Sequence, residues 1–141
     1  MKVFADTSAL FALFVKNDYM HIRARENFKY LARQNAVLVT SSFVLVETTA
    51  LLQRRIGLGP VNDFNRKIFP VLEIVWVNDK WYAKAIQRVF AQNNRNVSLV
   101  DCLGFEIMEA FQIEHAFAFD RHFEENGFTI ADFHNLDNRN H

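Results

Sequence analysis

A single cysteine, Cys102, stands in 141 residues, which excludes an internal disulfide and suits a reducing cytoplasm. No histidine pair has the spacing of a zinc site, and one thiol cannot build a thiolate centre. No stretch approaches the roughly 20 apolar residues that cross a bilayer. The opening MKVFADTSALFALFVKN places a lysine before an apolar run, but Asp6 interrupts that run and no small-residue cleavage pattern follows. It therefore reads as folded chain rather than a leader. The formal net charge is zero, so the basic excess of a strong general nucleic-acid binder is missing. That neutrality is compatible with an enzyme whose own carboxylates offset its basic groups. Repeats, low-complexity tracts and linkers are absent as well. The expectation is one cytoplasmic domain over 1–133, with no membrane contact and a polar tail at 134–141 that contains His134 and His141.

Half of the chain is hydrophobic and 23% is charged, enough apolar material to fold without metal staples. Fifteen phenylalanines predict an aromatic-rich core, and more rings than a small domain can hide, so some are expected at a homodimer interface.

The hydrophobic period switches repeatedly between strand and helix. Lys2–Ala5 (KVFA) is β-prone and ends at Asp6, with Thr7 or Ser8 available to cap a helix over about 8–16. A second helix is expected over about 19–34, followed by an apolar strand at 36–39 and the cap-rich run Thr40, Ser41, Ser42. The helix over about 42–56 stops at Gly57, and Gly59-Pro60 restarts one over about 60–70. A strand at 73–77, a helix over about 80–92 capped by Asp79, a polar loop at 93–96 and a helix from Ser98 to about 112 follow. Strands at 115–119 and 128–130 complete the pattern. Alternating short apolar strands and helices imply a parallel sheet covered on both faces. Ligands of such sheets bind at the carboxyl ends of the strands.

Four acids fit that rule or break the local pattern. Asp6 and Asp120 each end a strand; alone, either reads equally well as a helix N-cap. Glu47 lies in the apolar FVLVETTALL, on the side of Phe43, Val44, Ala50 and Leu51. A carboxylate on a buried face costs several kcal/mol, or shifts its pKa, unless a cation or strong donors meet it. Asp101 opens an apolar helix whose Gly104 signals close packing; its local alternative is a favourable place in the first turn. Carboxylates gathered in one crevice repel each other, and a hard divalent cation resolves the repulsion. Mg²⁺ or Mn²⁺, as one or two ions, takes oxygen ligands and leaves positions for water and phosphate.

With Asp6-Thr7-Ser8-Ala9-Leu10 after the first strand, Glu47 in the third helix, Ser98-Leu99-Val100-Asp101 opening a late helix and Asp120-Arg121-His122-Phe123 after the fourth strand, the sequence resembles the PIN domains. Within them it is similar to the VapC-type toxins, over essentially the whole chain. The resemblance implies a three-layer α/β/α fold with a five-stranded, mainly parallel sheet and divalent-metal-dependent cleavage of RNA. It matches Asp6, Glu47, Asp101 and Asp120 to the metal-binding catalytic acids, and Thr7 or Ser8 to a supporting hydroxyl. It also implies a cognate antitoxin as partner. A housekeeping RNA-processing nuclease and a non-catalytic RNA-binding module remain as alternatives. A response-regulator phosphoacceptor lacks its acidic pair here, and a dehalogenase-type phosphatase would need Asp-x-Asp-x-Thr where position 8 is Ser.

Arg23, Arg25, Lys29, Arg33, Arg54 and Arg55 can guide phosphate or form a solvated face. Arg121 and His122, beside Asp120 and nearer the proposed site, can touch the scissile phosphate. Trp76 and Trp81 can stack a base, though packing is the commoner role, and Cys102, without a His–Asn arrangement, reads as a small buried residue.

Overall fold

The computed structural model describes residues 1–132; the tail at 134–141 lies outside them. Five strands, β1 (Lys2–Ala5), β2 (Val37–Ser41), β3 (Leu72–Val75), β4 (His115–Phe117) and β5 (Thr129–Ile130), form one sheet in the order β3-β2-β1-β4-β5. Every pairing is parallel: Phe4 stands opposite Val39 on one side and Ala116 on the other. The connections hold helices α1 (Thr7–Phe14), α2 (His21–Arg33), α3 (Ser42–Arg55), α4 (Leu58–Lys67), α5 (Asp79–Gln92), α6 (Leu99–Ala110) and α7 (His122–Glu125).

The strand order sets the layers. From β1 the chain steps outward to β2 and β3, then returns across the sheet to β4 and β5 on the other side of β1. Right-handed crossovers in opposite directions place their helices on opposite faces. Helices α1–α4 accordingly pack on one another, and α5 packs on α6. The result is the three-layer α/β/α architecture, with its topological switch point between β1 and β4.

The helix starts show where local chemistry wins. Asp6 itself caps α1, one residue before the expected Thr7 or Ser8: it is extended (φ −103°, ψ 157°) and its Oδ2 accepts from the Ser8 amide at 3.1 Å. Ser41 caps α3 through the Val44 amide at 3.1 Å, and Ser98 caps α6 through the Asp101 amide at 3.0 Å. Asn78, rather than Asp79, caps α5, accepting from the Trp81 amide at 2.9 Å. At Gly57 the chain takes φ +141°, open to glycine alone without strain, and the Gly57 amide closes α3 on the Leu52 carbonyl at 2.9 Å.

Two elements are shorter than the apolar pattern suggests. The helix expected over 60–70 ends at Lys67, because Pro70 cannot supply an amide; a 3-10 turn at Phe69–Val71 leads into β3 instead. The strand expected over 115–119 pairs only through Phe117, since the Phe119 amide leaves the ladder to donate to Ser8 Oγ at 2.9 Å.

The core is aromatic. Phe4, Phe64, Phe105, Phe117 and Phe123 are fully buried, with Phe105 edge-on to Phe123 at a centroid distance of 5.0 Å. Gly104 lets α6 lie directly on β1: a Cβ there would sit 2.9 Å from the Phe4 ring.

Candidate active site

Asp6 leaves the carboxyl end of β1 at the switch point and is 4% exposed. Its Oδ2 accepts from the Ser8 amide and, at 2.6 Å, from Ser8 Oγ. The same hydroxyl accepts the Phe119 amide, so one serine ties the start of α1 to the exit of β4. Burial pushes the Asp6 carboxyl up from 3.8 to about 7; the negative charges of Asp101 and Asp120 add to the rise, and the Ser8 hydrogen bonds oppose it. Thr7 turns toward α3, where its Oγ1 accepts from Thr48 Oγ1 at 3.3 Å.

Asp101, in the first turn of α6 and also buried, arrives from the opposite face of the sheet. Burial raises its pKa first and Asp120 second, against the lowering contacts of His122 and the Ser98 cap. Asp120 follows β4, half-buried, and its Oδ1 accepts the His122 amide at 2.9 Å. The His122 ring lies between the two acids, with Nδ1 3.1 Å from Asp120 Oδ1 and 3.4 Å from Asp101 Oδ2. One ligand atom from each of Asp101, Asp120 and His122 falls within 4.8 Å of the others, close enough to share a cation.

Asp6, Asp101 and Asp120 thus feel one another's charge at a single crevice. Glu47 is not among the residues whose ligand atoms fall within 4.8 Å of one another. The fully buried stripe of α3 is Val44, Thr48 and Leu52, with Ala50 exposed and Glu47 half-buried at the stripe's margin. Its carboxylate is therefore less deeply placed than the apolar run implies, and its neighbour Thr48 ties this turn of α3 to α1. His122 is the residue that sequence reasoning left at the edge of the site; its signal was a histidine two positions after a strand-end acid. Arg121 points away, 85% exposed, toward Glu125.

The donor set suits a divalent cation. Carboxylate oxygens are the preferred ligands of Mg²⁺ and Mn²⁺, and positive charge would offset the burial and, after it, the mutual repulsion that hold Asp6 and Asp101 toward their protonated forms. His122, within reach of both carboxylates, is built to orient them. Helices α1 and α6 both begin here, so their partial positive ends face incoming phosphate.

Elsewhere, Cys102 is fully buried, and burial pushes its thiol up, away from reactivity. Trp81 packs on Phe111, while Trp76 is 64% exposed. Arg23 pairs with Asp132. No helix among the described residues is long and apolar enough to cross a membrane.

A parallel α/β/α domain whose acids converge on the switch point of the sheet defines the class: an α/β domain with an acidic cluster suited to a cation. The PIN domain family model matches residues 3–129, and the chain belongs to that family, where it is of the VapC type. It is 32% identical over 128 residues to a "23S rRNA-specific endonuclease VapC20" of Mycobacterium tuberculosis, covering 90% of this chain and 95% of the relative. The crystal structure of M. tuberculosis VapC20, a toxin that cleaves the sarcin–ricin loop, superposes with a TM-score of 0.78 at 30% identity, over 90% of this chain and 96% of that one. VapBC2 from Rickettsia felis, solved bound to a fragment of promoter DNA, shares the fold with a TM-score of 0.67 at 16% identity, over 92% and 96% of the two chains.

Proposed function

We propose that this protein is a divalent-metal-dependent endoribonuclease acting as the toxin of a toxin–antitoxin pair, with Asp6, Glu47, Asp101 and Asp120 as its metal-binding and catalytic acids. The observation that supports this most is the meeting of Asp6, Asp101 and Asp120, from both faces of the sheet, at one water-accessible crevice where they repel one another.

When Mg²⁺ or Mn²⁺ is bound by these acids, it supplies charge neutralisation at the phosphate and acidifies a water. The protein's own part is positional. Ser8 fixes Asp6 through two hydrogen bonds to Oδ2. Ser98 pins the turn that presents Asp101, and His122 holds the Asp101 and Asp120 carboxylates side by side. Thr7, bonded to Thr48, keeps α3 and therefore Glu47 against the site. Attack of water on phosphorus opposite the 3′-oxygen leaves a 5′-phosphate and a 3′-hydroxyl.

The cognate antitoxin is a protein partner whose segment occludes this crevice. Exposed Trp76 and Phe90 support a homodimer, and the cytoplasm is the compartment where such a toxin meets RNA.

Purified protein incubated with total RNA should cleave in Mg²⁺ or Mn²⁺ and stop in EDTA. Asp101→Asn should lower the rate by at least about a hundredfold while retaining the melting behaviour of a folded domain. Undiminished cleavage in EDTA, or by the Asp101→Asn variant, would refute the scheme.

A further inference from the structure

Beside the carboxylates a cleft of about 300 Å³ opens between α1, α3 and the loop joining α1 to α2. It is continuous with the catalytic crevice, because Ser8 and Asp120 belong to both. Phe11, Leu51 and Phe119 supply its apolar lining, Asp18 and Tyr19 come to it from the loop, and Arg55 from the end of α3. On α3, Glu47, Leu51 and Arg55 are four residues apart, so they share one face, with Arg55 about 12 Å along the axis from Glu47.

Two features of this cleft stand out among the described residues. Tyr19 is 92% exposed, a large ring burying almost nothing. Its loop is nonetheless fixed. The Met20 amide donates to Asp18 Oδ1 at 2.8 Å, the His21 amide to the Asp18 carbonyl at 3.0 Å, and His21 Nδ1 lies 2.8 Å from the Ala12 carbonyl oxygen. An aromatic held outward on a fixed loop loses little entropy when something stacks on it. Arg55 has no carboxylate partner among the described residues. Its guanidinium lies 5.8 Å from the Phe11 ring centroid, so a cation and an aromatic face form one wall.

An exposed ring, an unneutralised guanidinium and apolar walls beside a phosphate-cleaving crevice match the parts of one nucleotide. We propose that this cleft is a substrate subsite that seats the base of an unpaired RNA residue next to the scissile phosphate. Tyr19 and Phe11 stack on the base, and Arg55 meets a neighbouring phosphate. The size fits one splayed-out base and not a duplex. This inference rests on the ribonuclease reading and adds the residues that select its substrate.

The test maps cleavage of purified ribosomal RNA by the full chain in Mg²⁺, then measures kcat and KM on a hairpin that carries the mapped site. Tyr19→Ala and Arg55→Ala should each raise KM roughly tenfold, with a far smaller change in kcat. Tyr19→Phe should restore the native KM, and Arg55→Ala should reduce the slope of log affinity against log salt by about one. Lys67→Ala, an equal loss of charge on exposed α4, should leave KM in place. No cleavage by the unaltered chain in Mg²⁺ or Mn²⁺ would defeat the ribonuclease reading and this one with it. Cleavage with native KM in both cleft variants would overturn the subsite alone. If those variants kept native kinetics yet lost a co-expressed antitoxin on purification, the cleft would belong to a protein partner and the proposal would be wrong.

Discussion

Replacing Asp6 with Asn should make the metal-free protein more stable, although it removes a residue from the heart of the site. Asn keeps the shape and the capping oxygen that meets the Ser8 amide, but it cannot ionise. In the native chain, a carboxyl moved from 3.8 to about 7 disfavours its charged form by about 4 kcal/mol, at 1.36 kcal/mol per pH unit. The sign follows from which state ionises first. The unfolded chain releases the Asp6 proton near pH 4 and the folded chain only near pH 7, so stability falls as pH rises across that window and levels off above it. Asp101, also raised, adds to the loss. Urea melts in EDTA should therefore show the two proteins nearly equal at pH 4. At pH 8 the Asp6→Asn variant should lead by about 2 to 4 kcal/mol, a melting point higher by about 6–12 °C for a domain of this size. Adding Mg²⁺ should narrow or reverse the gap, because the native site gains stability from bound ion and the variant does not. Should the variant be equal to or weaker than the native protein at pH 8 in EDTA, the claim that repelling, buried acids strain this fold fails.

Gly104→Ala should destabilise the protein by about 1–2 kcal/mol by denaturant titration, since the clash of a Cβ 2.9 Å from the buried Phe4 ring outweighs the roughly 1 kcal/mol gained in helix propensity. Phe4→Leu in the same chain should recover part of that loss, and a stabilised Gly104→Ala would mean the ring yields freely. Glu47→Gln should lower kcat/KM at least tenfold and raise the Mg²⁺ concentration giving half-maximal rate. A metal profile superimposable on the native one would place Glu47 outside the centre.

The fold was legible because its signals are periodic and local. Apolar runs such as KVFA and AVLV mark strands buried on both faces, and Ser41, Gly57 and Ser98 mark helix ends with side-chain or glycine chemistry. The misplacements have different causes, some local and one distant. Asp6 outcompetes Thr7 as the cap because a carboxylate reaches the Ser8 amide from one residue earlier. The Phe119 amide abandons β4 for a hydroxyl 111 residues away. Helix α7, four residues long, has no period to detect.

The site divides along the same line. Strand-end position together with the rule for parallel sheets suffices to bring Asp6 and Asp120 to one edge, since β1 and β4 are neighbours at the point where the strand order reverses. Asp101 was legible as an anomaly, an acid and a glycine opening an apolar helix, and both have their reason in the closeness of α6 to β1. Glu47 shows how far helical periodicity goes: it names a face to within about a quarter turn, and Glu47 falls at the margin of the stripe rather than inside it. His122 could be named from the sequence only as a neighbour of Asp120, because its place depends on the turn after Asp120, where its amide hydrogen-bonds that carboxylate and the ring lies between two acids from different layers. Residues that supply charge can be found from where strands end; residues that hold the charges in register depend on contacts between layers, which only the assembled fold defines.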